Sequence, residues 1–121
     1  MKNVPEKDNT MRTLVYCLAA SALLALAAPS IAAADDDVII TIKDHKFSPA
    51  EVKVPANKRI VLTIVNEDPT PEEFESHPLR VEKVIPGKSQ GAVRIGPLKP
   101  GRYPFIGEFH EATAKGVVIA Q

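Results

Sequence analysis

Sulfur is scarce in this chain. Its 121 residues include one cysteine and two methionines, and Met1, Met11 and Cys17 all lie near the amino terminus. An internal disulfide is therefore excluded, and beyond Cys17 no thiolate or thioether is available to a soft metal ion. An excess of charge of one sign is also missing, since 15 basic residues face 15 acidic ones. No basic stripe argues for a nucleic-acid partner. There is no sustained helical periodicity, no internal repeat and no linker. Ser-His-Asp arrangements, phosphate-binding loops and zinc-ligand spacings are absent as well, which sets aside the hydrolase, nucleotide-binding and zinc-domain readings.

What is present begins with an export signal. Met11 and Arg12 lead into an apolar run from Leu14 to Ala28, and Ala32-Ala33-Ala34 fits a small-residue cleavage site. Met1 to Thr10 are polar and precede the signal, as they would if Met11 were the true start. The apolar run is too short, and too soon followed by Pro29 and Asp35-Asp36-Asp37, to make a good membrane span. The expected organisation is an extension and cleaved signal peptide over 1–34, then one domain over 35–121. Its compartment is the periplasm and its mature form does not span the membrane. Cleavage removes all the sulfur, along with Lys2, Lys7, Arg12, Glu6 and Asp8, leaving a net charge of −1. A domain of this size is then held by its apolar core alone.

The mature sequence reads as strands. Val38–Lys43 is rich in β-branched residues, and Lys46–Pro49 breaks it. Glu51–Val54 alternates and stops at Pro55. Arg59–Val65 is apolar on both faces, the mark of a central strand. Phe74–Ile85 holds one strand, or two with a bend at His77-Pro78. Ala92–Ile95, Arg102–Ile106 and Gly116–Ala120 complete the set, and Glu108–Lys115 has room for one helical turn. Short strands punctuated by Pro and Gly indicate an antiparallel sandwich or barrel.

Two polar stretches interrupt the pattern. Glu67, Asp68, Glu72, Glu73 and Glu75 form an acidic run with no base among them, which suits a solvated loop, a cation site or a basic partner. Glu108 and His110 lie in the loop between the last two strands. Glu73 and Glu75 are two apart, so a strand turns both to one side and Phe74 to the other. Glu82 follows on the next strand segment.

The segments KFSPAEVKVPANKRIVLTIVN, PLKPGRYPF and FIGEFHEATAKGVVIA together resemble the cupredoxins, the all-β Greek-key sandwiches of blue-copper proteins. The resemblance implies seven to eight strands and a metal site at one end. In that frame Gly107 stands at the cysteine ligand, His110 at the loop histidine, Lys115 near the methionine and Glu73 at the remaining histidine. A thiolate-ligated blue-copper electron carrier is excluded by the missing sulfur. The remaining candidate ligands are Glu73, Glu75, Glu82, Glu108 and His110, with His77 able to face the same site and His45 a second-site candidate. Carboxylates with imidazole suit Cu(II), Fe(II), Fe(III) or Mn(II) rather than Cu(I).

The motifs PEEFES, VEKVIPG, PLKPGRYPF and EFHEATAKGVV resemble more narrowly the EfeO-type cupredoxins of bacterial periplasmic iron uptake. A stand-alone domain of this type is similar to the small subunit of FtrABCD-type ferrous-iron systems. The resemblance implies a copper and/or iron protein that assists Fe(II) oxidation before uptake, with a permease and a periplasmic iron-binding protein as partners. No protein nucleophile or organic cofactor is needed. A copper carrier or resistance protein without redox turnover, and an interaction module whose acids bind a basic partner, are the alternatives.

Overall fold

Period-two burial shapes the strands of the structure, a computed structural model that describes residues 36–121. The expected signal peptide lies outside the described residues. In β1 (Asp36–Lys43), Ile40 and Ile42 are fully buried, while Ile39 between β1's two faces points outward. The same alternation runs through β3 (Glu51–Val54) and β4 (Ile60–Asn66). The chain continues through β5 (Glu72–Ser76), β6 (Val81–Ile85) and β7 (Ser89–Ile95). After β8 (Gly101–Gly107) come a single 3-10 turn (Glu108–His110) and β9 (Lys115–Ala120). The segment Lys46–Ser48, read from sequence as a break, forms the three-residue edge strand β2. Counting it, and two strands on either side of the His77–Arg80 turn, the described residues contain nine strands rather than seven or eight.

These strands stack as two sheets, ordered β2-β1-β4-β7 and β3-β9-β8-β5-β6. The all-β sandwich expected from the sequence is therefore present, but it is not purely antiparallel. β1 runs parallel to β4, and β3 parallel to β9. The chain crosses to the opposite sheet at β3 before returning at β4, and that crossing sets the parallel pair. Among the described residues no helix is long and apolar enough to cross a membrane.

The core lies between the sheets. Ile40, Ile42, Ile60, Leu62, Ile64 and Ile95 come from one side, and Val52, Phe74, Ile85, Phe105 and Val118 from the other. Phe47, Phe74 and Phe105 pack as an aromatic trio, with Phe47 edge-on to both partners at 5.9 and 4.9 Å and the other two 4.8 Å apart. Each such ring, cut to alanine, costs about 3–5 kcal/mol. Phe74 stands between Glu73 and Glu75 in sequence and faces the opposite way, so the trio floors the end of the sandwich where the polar residues gather.

Candidate metal centre

Adjacent residues of β5 face opposite sides of the sheet, and this sorts the acids into two groups. Glu72, Phe74 and Ser76 point inward, while Glu73 and Glu75 point to the other side of the sheet, where Glu73 is still largely covered at 8% exposure. Glu72 is only 1% exposed. Its Oε1 accepts the backbone N–H of Glu73 at 3.1 Å and of Phe109 at 3.0 Å, and its Oε2 pairs with Nδ1 of His110. An ionised carboxylate can only accept, so Nδ1 of His110 is the donor to Glu72, and in the neutral ring Nε2 is the nitrogen left to bind a metal.

His45 completes this inner group. Its ring stacks on that of His110 with centroids 3.5 Å apart and planes 13° from parallel. Local backbone chemistry puts it there. Asp44 and His45 are the two central residues of the β1–β2 hairpin, with φ of 52° and 57°. A two-residue hairpin favours such left-handed positions, and Asp and His tolerate them better than most residues. Asp68 clamps the turn: its Oδ1 accepts the N–H of Asp44 at 2.8 Å and its Oδ2 that of His45 at 2.9 Å. The Nδ1 of His45 lies 3.5 Å from the same carboxylate. The backbone N–H of His45 is the largest of the influences that hold the Asp68 carboxyl below its usual range. Asn66 in turn anchors Asp68, accepting its N–H at 3.0 Å and donating to the carbonyls of Thr70, Ile85 and Pro86. One candidate ligand atom from each of His45, Glu72 and His110 lies within 4.8 Å of the other two.

The outer group is made of carboxylates. Glu75 pairs directly across from Glu82 of β6, and Glu73 lies diagonally from it. Candidate oxygens of Glu73, Glu82 and Glu108 fall within 4.8 Å of one another. Like charges opposite each other on a sheet repel. A hydrogen bond to Glu82, then burial, then the charges of Glu108, Glu82 and Glu75 push the Glu73 carboxyl up to about 7. The charge of Glu75 is the largest influence raising Glu108. The face thus retains a proton near neutrality, and a cation bound there would relieve the same repulsion.

The structure regroups the sequence candidates. Glu73, Glu82 and Glu108 come together, with Glu75 beside them. Glu108 and His110, both candidate ligands of one site, separate because they sit on a 3-10 turn, where residues two apart diverge by about two thirds of a turn. His110 goes to the inner group, and His45, expected at a second site, joins it. His77 enters neither group; it is exposed in the turn after β5 and pairs with Glu75 at 3.2 Å. Glu72 was missed, and it rather than Glu73 faces His110. The signal was available: Phe74 is apolar and must point inward, and period two places Glu72 on its side.

A family model described as a cupredoxin-like domain matches residues 16–120. An uncharacterized protein of Rickettsia prowazekii (strain Madrid E) is 49% identical over 83 residues, covering 69% of this chain and 66% of that protein's own length. Among solved structures, similarity extends to the metal-binding domain of the Cu(I)-exporting ATPase CopA of Streptococcus pneumoniae D39, described with Cu(I). That match has a TM-score of 0.63 at 16% identity, over 70% of this chain and 84% of that one. Auracyanin A of Chloroflexus aurantiacus, described as a "blue" copper protein, matches with a TM-score of 0.61 at 10% identity, over 73% and 100% of the two chains. Amicyanin of Paracoccus versutus gives 0.56 at 19% identity, over 71% and 82%. At these identities the structural likeness is one of fold.

Proposed function

The chain belongs to the cupredoxin-like domain family, and from that premise we propose that it is an exported metal-binding protein of ferrous-iron uptake. In this reading it holds copper at the inner group, binds iron at the outer one and helps oxidise Fe(II) before uptake, the role that its resemblance to the EfeO-type and FtrABCD-type cupredoxins implies. The observation that carries the reading is the sorting of ligands by β5, with His45, Glu72 and His110 on one side and Glu73, Glu82 and Glu108 on the other. Peptide bonds link the two groups, since Glu72 adjoins Glu73 and only Phe109 separates Glu108 from His110.

The donors fit the assignment. Two imidazoles without sulfur, with the Glu72 carboxylate behind His110 to orient it, suit Cu(II), and the copper-binding descriptions of similar proteins favour copper. Hard carboxylates suit iron and favour Fe(III) over Fe(II), because the added charge is better matched by anionic oxygen. Copper held by His45 and His110 would supply a one-electron acceptor for Fe(II), with an external oxidant such as dioxygen needed to restore it. The protein's own part is to orient and to charge-match. Glu72 fixes the tautomer of His110, Asp68 fixes the turn that carries His45, and the outer acids collect the incoming cation. A permease and a periplasmic iron-binding protein are the proposed recipients.

Fe(II) loss measured with and without copper tests this. Copper-dependent oxidation, slowed by Glu73→Gln or Glu82→Gln while Cu(II) binding persists, is the expected result. Copper binding without iron oxidation would leave a carrier, and failure to bind either metal would leave an interaction module.

A further inference from the structure

The two imidazoles of the inner group lie face to face. The rings of His45 and His110 have centroids 3.5 Å apart and planes 13° from parallel. An imidazole nitrogen binds a metal through a lone pair that lies in its ring plane. Planes at this spacing and tilt meet only about 15 Å from the rings (3.5 Å divided by tan 13°), whereas a metal–imidazole bond is about 2 Å long. A cation in the plane of one ring therefore misses the lone pair of the other. The stacked pair is not itself a chelate, and one ring must turn before both can hold the same ion.

The rings are anchored unequally. His110 donates through Nδ1 to Glu72, which is buried and also accepts the N–H groups of Glu73 and Phe109. The ring of His45 has a longer contact, 3.5 Å from Nδ1 to Oδ2 of Asp68, outside the usual hydrogen-bond range of about 2.7–3.2 Å. Its side chain is 41% exposed, against 27% for His110. The backbone of His45, by contrast, is clamped, because Asp68 accepts its N–H and that of Asp44. The ring of His45 can thus turn about its own side-chain bonds while the hairpin keeps it within reach of His110.

Given copper at the inner group, we propose that His45 is a mobile ligand that gates the site. The stack on His110 is the closed state. A cation held by Nε2 of His110 draws the His45 ring out of the stack, and His45 then supplies the second imidazole. Opening gives up the contact between the rings, which for aromatic pairs amounts to about two- to tenfold in an equilibrium constant. Apparent affinity falls by the fraction of the chain that is open, so a cation opens the gate only if a second imidazole strengthens its binding by more than this. Among divalent first-row metals Cu(II) binds such nitrogen donors most strongly, well above Fe(II) and Mn(II). The stack therefore biases the inner group toward copper and leaves iron to the carboxylates on the other side of β5.

Two measurements on the purified chain test the gate. Nuclear magnetic resonance of the metal-free chain should show the ring protons of His45 and His110 in direct contact. Pulsed electron paramagnetic resonance of the Cu(II)-loaded chain counts bound imidazoles, and two should be found. His45→Asn, which suits the left-handed turn, should leave one imidazole on Cu(II) and keep the strand-rich circular dichroism. It should weaken Cu(II) binding about tenfold or more, since losing a ligand costs no less than losing an outer-shell partner. His45→Gly takes its place if that variant fails to fold. Rings found apart in the metal-free chain overturn the gate and leave the copper site standing. So does a single imidazole on Cu(II) in the parent, or two in His45→Asn. A chain that binds no Cu(II) overturns the copper reading and the gate with it.

Discussion

The carboxylate of Glu72 occupies the space a side chain at Gly107 would need. An ideal Cβ on Gly107 would lie 2.7 Å from Cδ and 2.8 Å from Oε1 of Glu72, and 2.6 Å from Cβ of Ala114. The glycine is needed for room and not for conformation, since its φ of −92° suits any residue. Position 107 is where the cupredoxin resemblance puts a cysteine, so here a buried oxygen donor from β5 takes the volume that a side chain from β8 would otherwise fill.

Gly107→Ala should therefore disturb the inner group through Glu72. Overpacking of this kind costs about 1–3 kcal/mol, and displacement of Glu72 should release His110 and weaken Cu(II) binding. Combining Gly107→Ala with Glu72→Ala should cost less than the two changes summed, because they share one contact. Denaturant melts and Cu(II) titrations of the three variants check this, and strictly additive losses would show that the two residues are not coupled.

The Cu(II) complex of residues 35–121 should lack the intense visible band of a copper–thiolate bond, because that stretch contains no sulfur. An absorption spectrum of the purified protein lacking residues 1–34 decides the point. A strong blue band would mean that the ligand set is wrong.

Titration of the outer acids should tilt stability in an unusual direction for carboxylates. The Glu73 carboxyl is pushed up to about 7 in the folded chain from an ordinary 4.5. Between those values the folded state holds a proton that the unfolded state has released, so stability falls as pH rises from 4.5 towards 7. Metal-free protein should thus melt higher at pH 5 than at pH 8. Glu73→Gln should flatten that slope, and a saturating divalent cation should remove it by replacing the proton. An unchanged slope in Glu73→Gln would place the titration elsewhere.

Much of this was legible in the sequence, and the rest depended on pairing across the chain. Strands with clear alternation, such as Glu51–Val54, could be read directly, because a buried face forces period two. β2 could not, since Lys46–Ser48 is a strand only by virtue of its hairpin with β1. The outward Glu73 and Glu75 followed from Phe74, and the same logic extended two residues back would have found Glu72. The meeting of His45 with His110 was beyond local reading. They are far apart in sequence, and only the left-handed turn at Asp44-His45 and its clamp by Asp68 bring the rings together.

That clamp leads to the last prediction. Asp68 is 7% exposed and accepts two backbone N–H groups of the hairpin turn that carries His45. Hydrogen bonds to a charged group contribute about 1.5–3 kcal/mol each, and the losses at one turn overlap. Asp68→Ala should therefore destabilise the domain by roughly 2–4 kcal/mol on that scale. It should also loosen His45 against His110 and weaken Cu(II) binding, whereas Asp68→Asn keeps one acceptor and should be milder on both counts. The pH dependence has a definite sign. The folded carboxyl is held below its ordinary 3.8, so its contribution is complete above the unfolded value and is lost as pH falls through the folded one. Acid unfolding of Asp68→Asn should accordingly begin from a lower plateau and show a shallower fall below pH 3.8 than the parent. Nuclear magnetic resonance of the His45 ring in both variants separates positioning from stability. If its shifts and its contact with His110 stay as in the parent while stability drops, Asp68 supports the fold without placing the histidine.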